Sequence, residues 1–247
     1  MNTPLPIPTQ TLSHQQLKHK VYLLTGATGG LGRTTALSLA KLGATVILSG
    51  RHEDKLNHLY DEIEKRGYPT PAIIPFDLEQ TEEESYTQLI NSIYNEFKRL
   101  DGVIHAACQL GVIGPLASQD SSFWLNVQQV NVNACFLINK VCLPLLSRSE
   151  HASITMVSDS SARQEKAYWG AYGVSKSALE SFSSILADEQ EDSSINCNIF
   201  IPGPSLLPIR KKTHPGEEST KLSSAELVGD AITQVILSSE NGQVYQV

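Results

Sequence analysis

The sequence predicts an α/β fold: a single domain on a doubly wound parallel sheet of about seven strands, with helices on both faces. Three observations predict it. Short apolar runs alternate with longer amphipathic segments along all 247 residues, the pattern of strand–helix–strand units. Near the N-terminus the run Val21-Tyr22-Leu23-Leu24 ends abruptly at Thr25-Gly26 and passes through Gly29, Gly30 and Gly32 into a helical segment. The length suits one large core, and neither an internal repeat nor a second domain is evident.

In chain order, residues 1–19 carry prolines and read as an extended N-terminal arm; the domain proper is 20–247. The first helix runs from about Leu31 to Leu42 and stops at Gly43, a C-cap residue. Ala44 to Ser49 is the second strand, and His52 to Arg66 an amphipathic helix ending at Gly67. Pro71 to Phe76 is the third strand, Glu82 to Arg99 an acidic helix, and Leu100 to Ala107 the fourth strand. A glycine- and proline-containing loop leads to a long helix over roughly Phe123 to Leu146. Ile154 to Val157, Gly170 to Glu189 and Ile195 to Ile201 follow as strand, helix and strand. Pro202-Gly203-Pro204 breaks the chain, and residues from about 205 to 222 read as a mobile polar loop beside the site. Ser223 to Leu237 is helical, and Gly242 to Val247 forms a short last strand.

Composition excludes several classes. The net charge is −7 and the longest basic block is Arg210-Lys211-Lys212, so nucleic acid is not an expected partner. No apolar run reaches the ~20 residues of a membrane span, and the first sixteen residues lack the charged start and apolar core of a signal peptide. Cys108, Cys135, Cys142 and Cys197 show no C-x-x-C spacing, which places the chain in a reducing, cytoplasmic compartment. Cys135 and Cys142 lie seven apart on one helix face and read as packing residues. The seven histidines have no metal-ligand spacing, and no metal site is expected.

A strand, a glycine turn and a helix N-terminus make an anion site, because exposed N–H groups and the helix dipole both favour phosphate. Glycine lets a pyrophosphate approach where a Cβ would stand in the way. A tight strand–helix turn without ligand is the competing reading. The spacing G-x-x-x-G-x-G departs from the commoner G-x-G-x-x-G. Thr25-Gly26-x-x-x-Gly30-x-Gly32 instead resembles the cofactor loop of the short-chain dehydrogenases/reductases, and Tyr172-Gly-Val-Ser-Lys176 resembles that family's Tyr-x-x-x-Lys. The likeness covers about Lys20 to Val247. Trp169-Gly-Ala-Tyr172 and Gln129-Val-Asn-Val-Asn-Ala134 make it nearest to bacterial oxidoreductases of unsettled substrate. It implies a Rossmann-type domain that moves hydride between NAD(P) and a small carbonyl or alcohol.

Gly26, Thr28, Gly29, Gly30, Leu31 and Gly32 are the expected cofactor loop. At the tip of the second strand, Ser49 and Gly50 supply no acid for a ribose 2′-hydroxyl, while Arg51 supplies a planar donor suited to a 2′-phosphate. NADP(H) is therefore expected over NAD(H), unless Arg51 merely begins a helix. Asp77, with Leu78, resembles the family acid at the adenine amino group; a helix N-cap is its other reading. The family's Asn-Asn-Ala-Gly is replaced by His105-Ala106-Ala107-Cys108. Ala106 loses the hydrogen bonds of the second asparagine, and Cys108 adds bulk where a ribose sits close.

Tyr172 is the expected proton donor, and Lys176, one helical turn on, would favour its phenolate and hold the nicotinamide ribose. Asn131 resembles the asparagine whose backbone kinks the long helix and positions a relay water. Thirteen residues before the tyrosine, where the family has a serine, stands Asp159. Strand alternation turns Ser158 and Ser160 away from its direction. A carboxylate there repels a developing alkoxide, a protonated Asp159 could donate, and a shifted loop could instead present Ser158 or Ser160. Pro202 and Gly203 keep the family's Pro-Gly turn, but Leu207 stands where its threonine would be. Relatives of this kind are homodimers or homotetramers packed through the long and tyrosine helices, here Phe136, Leu137, Val141, Leu145, Phe182, Ile185 and Leu186, which could equally face the sheet. The alternative function is a dinucleotide-binding protein with little or no turnover, a sensor or assembly partner.

Overall fold

The computed structural model describes residues 3–13 and 15–247. Among the described residues, eight parallel strands form one sheet: β1 (Leu5–Pro6), β2 (Val21–Thr25), β3 (Thr45–Gly50), β4 (Ala72–Pro75), β5 (Gly102–His105), β6 (Ala152–Val157), β7 (Ile195–Ile201) and β8 (Val244–Gln246). Their order across the sheet is β1-β8-β7-β6-β5-β2-β3-β4. The count exceeds the expected seven because the proline-containing arm itself adds β1 to the edge, with Leu5 opposite Tyr245 and Pro6 opposite Gln246. An isolated two-residue strand among prolines carries no alternation signal from which to read it.

The central strands β2, β5 and β6 are buried throughout and mostly apolar, as strands covered on both faces must be. On one face lie α1 (Gly30–Lys41), α2 (Glu53–Lys65) and α9 (Ala225–Ile236), which bury Leu39, Leu56, Ile63 and Ile232 against the sheet. On the other lie α3 (Glu83–Phe97), α5 (Ala134–Leu146) and α7 (Gly170–Glu189), burying Tyr86, Ile93, Ile138 and Leu179. Cys135 and Cys142 pack in this second core, as their spacing implied.

The long helix is continuous but not uniform. α4 (Ser121–Gln128) meets α5 through a π-turn at Gln129–Asn133. The whole run Ser121–Leu146 is long and apolar enough to cross a membrane, with mean hydropathy 1.2, but half of that window is buried inside the protein, as in a core helix. Of the apolar residues on α5 and α7, Leu145 and Leu186 are buried against the sheet, while Phe136 and Ile185 are exposed on the outer face. The rings of Phe136 and Phe182 meet edge-on at 6.3 Å there.

The polar stretch after β7 is more ordered than a loop. It holds α8 (Pro208–Thr213), a short 3₁₀ turn at Ser219–Lys221 and a bidentate Arg210–Glu217 pair at 2.6 and 2.7 Å. A short helix, α6 (Ser161–Gln164), follows β6. Chain order reverses between β2 and β5, so the carboxyl ends of these two strands open a crevice at the switch point.

Candidate active site

One cavity of about 620 Å³ occupies that crevice. At one end, β2 delivers the chain to Gly26, whose φ of +66° suits glycine, and an added Cβ would sit 2.6 Å from the Ala107 backbone. A Cβ on Gly32 would run into the Gly26 carbonyl. These two glycines are thus required by packing between β2, α1 and the β5 loop, before any ligand is considered. Gly29 is the N-cap of α1; no side chain caps that helix and its first turn holds no acid. The positive helix end, with Thr28, Gly29, Gly30, Leu31 and Gly32 on the cavity wall, is left for an anion.

Arg51 lies on the same wall and donates to Glu79 Oε1 at 2.7 Å. Both side chains are well exposed, so that pair is worth little and is readily exchanged for a phosphate. Asp77 and Leu78 line the cavity beside it. Asp77 is not a helix N-cap: its Oδ1 accepts from the Glu79 N–H at 3.1 Å in a tight turn, and α3 begins six residues later. Ala106, Ala107, Cys108 and Pro202 also face the cavity, but Gly203 turns toward Val247, where a Cβ would lie 2.6 Å from the carbonyl oxygen. A dinucleotide fits this set: an open helix end for pyrophosphate, a guanidinium beyond it held only by an exposed pair with Glu79, and apolar walls toward the other end.

The other end belongs to α7. Gln119 Oε1 accepts the Ala171 N–H at 3.3 Å and Gln128 Nε2 donates to the Ala171 carbonyl at 3.0 Å, fixing the turn that carries Tyr172. Tyr172 is buried, and its hydroxyl donates to Asp159 Oδ2 at 3.4 Å. Asp159 Oδ1 accepts the Ser161 N–H at 2.8 Å. Asp159 thus faces the Tyr172 hydroxyl on one oxygen and the α6 backbone on the other. Ser158 points the other way, as strand alternation required, donating to Glu180 Oε1 at 2.6 Å. Glu180 is buried on α7 and also receives Arg163 from α6, at 2.7 Å to its Oε2. Sequence reasoning missed this trio; its one legible sign was an acid four residues after Lys176, on the same helix face.

Lys176 is buried, donates to the Val157 carbonyl at 2.7 Å and lies 5.6 Å from the Tyr172 ring centre. The phenol does not become more acidic beside it. Burial first, then the Cys108 thiol and the Asp159 carboxylate, hold the Tyr172 pKa well above its ordinary value. The lysine charge bears on the ring and a strand carbonyl, and the hydroxyl faces a carboxylate.

Asn131 lies outside the cavity wall, inside the π-turn that the kink resemblance implied. Its side chain accepts the Gln109 N–H at 2.7 Å and donates to the Gln109 carbonyl at 2.9 Å and to Ser175 Oγ at 2.9 Å. It clamps the β5 loop to α7. Behind Lys176, His105 Nε2 meets Asn139 Oδ1 at 3.1 Å in the core. Burial pushes the imidazole down to about 4, the Asn139 bond opposing and the Lys176 charge reinforcing that shift. A histidine depressed in this way destabilises the fold as pH falls, because the unfolded chain takes up the proton from about 6.5 downward and the folded chain only near 4. Between pH 7.5 and 5 urea unfolding should lose about 2 kcal/mol from this group. His105→Gln should flatten that part of the profile; an unchanged slope would count against a buried neutral imidazole.

Comparison with known proteins gives the family. The sequence profile for short chain dehydrogenases matches residues 20–218. The oxidoreductase YciK of Escherichia coli K12 is 39% identical over 209 residues, 84% of this chain and 82% of that protein. The structure of a short chain dehydrogenase from Pseudomonas syringae superposes with a TM-score of 0.92 at 36% identity, covering 97% of this chain and 99% of the other. A short chain dehydrogenase from Escherichia coli CFT073, complexed with NADPH, gives 0.89 at 35% identity, covering 94% and 98%.

Proposed function

Since the chain belongs to the short-chain dehydrogenase family, we propose that it is an NADP(H)-dependent oxidoreductase moving hydride to or from a small carbonyl or alcohol carbon at Tyr172. The observation that carries this is one continuous cavity, with Arg51 and the uncapped α1 terminus at one end and Tyr172 with Lys176 at the other. Gly26 to Gly32 would hold the pyrophosphate, Arg51 the 2′-phosphate, Asp77 and Leu78 the adenine, and Ala106, Ala107, Lys176 and Pro202 the nicotinamide side. The dinucleotide supplies or receives hydride when bound. Tyr172 holds a proton at Oη, Lys176 places a positive charge beneath the ring, and Asn131 fixes the loop opposite both.

The NADPH complex of a 35% identical relative supports the phosphate assignment. Titration should therefore give tighter binding of NADPH than NADH. Arg51→Ala should cut that preference by roughly ten- to a hundredfold, the scale of one charge-assisted contact. Equal affinities in the unmodified protein would sink the assignment.

Asp159 favours keeping a second reading beside the first, a dinucleotide-binding protein with little turnover, because a carboxylate facing Tyr172 opposes alkoxide formation. The three buried cysteines and the unpaired Cys108 support a cytoplasmic setting. The outer face formed by Phe136, Phe182 and Ile185 supports self-association through α5 and α7.

A further inference from the structure

Resting on the oxidoreductase reading, we infer that the hydride acceptor is a protonated carbon–nitrogen double bond, an iminium or a cationic nitrogen heterocycle, with Asp159 as its counter-ion. Hydride addition to a ketone gathers negative charge on oxygen and needs donors around it. The group next to Tyr172 Oη is instead a carboxylate that already accepts from a backbone N–H and from the phenol, on separate oxygens. Two acceptor oxygens suit a cation and repel an alkoxide.

Three cations stand near that carboxylate without bonding it. Lys176 turns its charge to the Val157 carbonyl; Arg210, whose pKa is held up by Glu217 first and by Asp159 last, is clamped on both oxygens of Glu217; and Lys212 lines the cavity with its side chain exposed. A second feature points the same way. The Tyr172 ring, on the cavity wall with Asp159, is backed by the Trp169 and His214 rings at successive distances of 5.9 and 6.0 Å. Aromatic faces attract organic cations.

The chemistry balances without a proton from Tyr172. The substrate carbon accepts hydride from a reduced nicotinamide dinucleotide, which is oxidised. The C=N π pair becomes the nitrogen lone pair, and the neutral amine then takes a proton from solvent. Burial of the phenol, which opposes its giving up a proton to an alkoxide, is no obstacle to this substrate.

Dihydroisoquinoline and tetralone, bicycles of like size, distinguish the two acceptors. Binding is read first, by calorimetry on the cofactor-free protein with the reduced products. Tetrahydroisoquinolinium should bind the unmodified protein at least tenfold more tightly than Asp159→Asn, the scale of a hydrogen bond to a charged group, whereas tetralol should bind both alike. With NADPH, the unmodified protein should reduce dihydroisoquinoline in preference to tetralone, and Asp159→Ser should reverse that order. Equal ammonium affinities for the unmodified protein and Asp159→Asn, or a preference for tetralone before mutation, overturn the inference. Failure of NADPH to bind overturns the oxidoreductase reading instead, and leaves the ammonium comparison to decide the role of Asp159.

Discussion

Replacing Tyr172 with phenylalanine is expected to lower turnover of any carbonyl substrate by roughly 10²–10⁴, the contribution of one positioned proton donor. Its hydroxyl is the side-chain donor that reaches the Asp159 carboxylate, at 3.4 Å, and Ser158 is turned away to Glu180. NADPH affinity should fall by no more than one hydrogen bond, about 1 kcal/mol. A protonated C=N substrate should lose less, since its reduction does not draw on that proton. Steady-state rates on both substrate types with NADPH titration check this. Full ketone activity in Tyr172→Phe would move the donor elsewhere.

The largest expected effect on stability is at Glu180. Its carboxylate is 3% exposed and joins three elements, taking Ser158 from the end of β6 and Arg163 from α6 while rooted in α7. Glu180→Ala removes the carboxylate that the mostly buried Arg163 guanidinium and the buried Ser158 hydroxyl both bond. Removing one partner of such a pair costs about 3 kcal/mol at the least. For a chain of this size the midpoint of thermal unfolding should drop by roughly 6–12 °C. Glu180→Gln, which keeps an acceptor for Ser158, should lose less. A shift of a degree or two for Glu180→Ala would mean that water replaces the carboxylate at no cost. Since Asp159 lies between Ser158 and Arg163 in sequence, the same change should also loosen its aim at Tyr172.

The fold was legible because its signals are local. Period-two and period-3.6 patterns, glycines at Gly43 and Gly67 and the break at Pro202 set most element boundaries within two residues. The geometry was legible where a spacing forces it: Lys176 one turn after Tyr172, and Asp159 thirteen residues before it with Ser158 facing away. What escaped depends on distant partners. Nothing in Glu180 announces Arg163 and Ser158; nothing in Asn131 announces that its side chain, rather than its backbone, bonds Gln109. The direction of the Tyr172 shift also escaped, because spacing placed a cation nearby but not the depth of burial or the acid opposite. The stretch 205–222 read as a loop because α8 is short and its outer side polar, although Leu207 is buried.

The two residues of β1 bear on how copies of this protein meet. A bare outer strand is a template: its unpaired amides accept any extended chain and let sheets fuse side by side. Here that place is taken by Leu5 and Pro6, with Pro4 and Pro8 in the same alternating positions. Pro6 has no N–H, so pairing toward β8 falls to Leu5, and the prolines fall on the opposite, open side, which is thereby stripped of donors. The arm acts as a chain terminator for the sheet. Growth of the sheet by strand addition is thereby closed on this flank, opposite the edge that β4 forms.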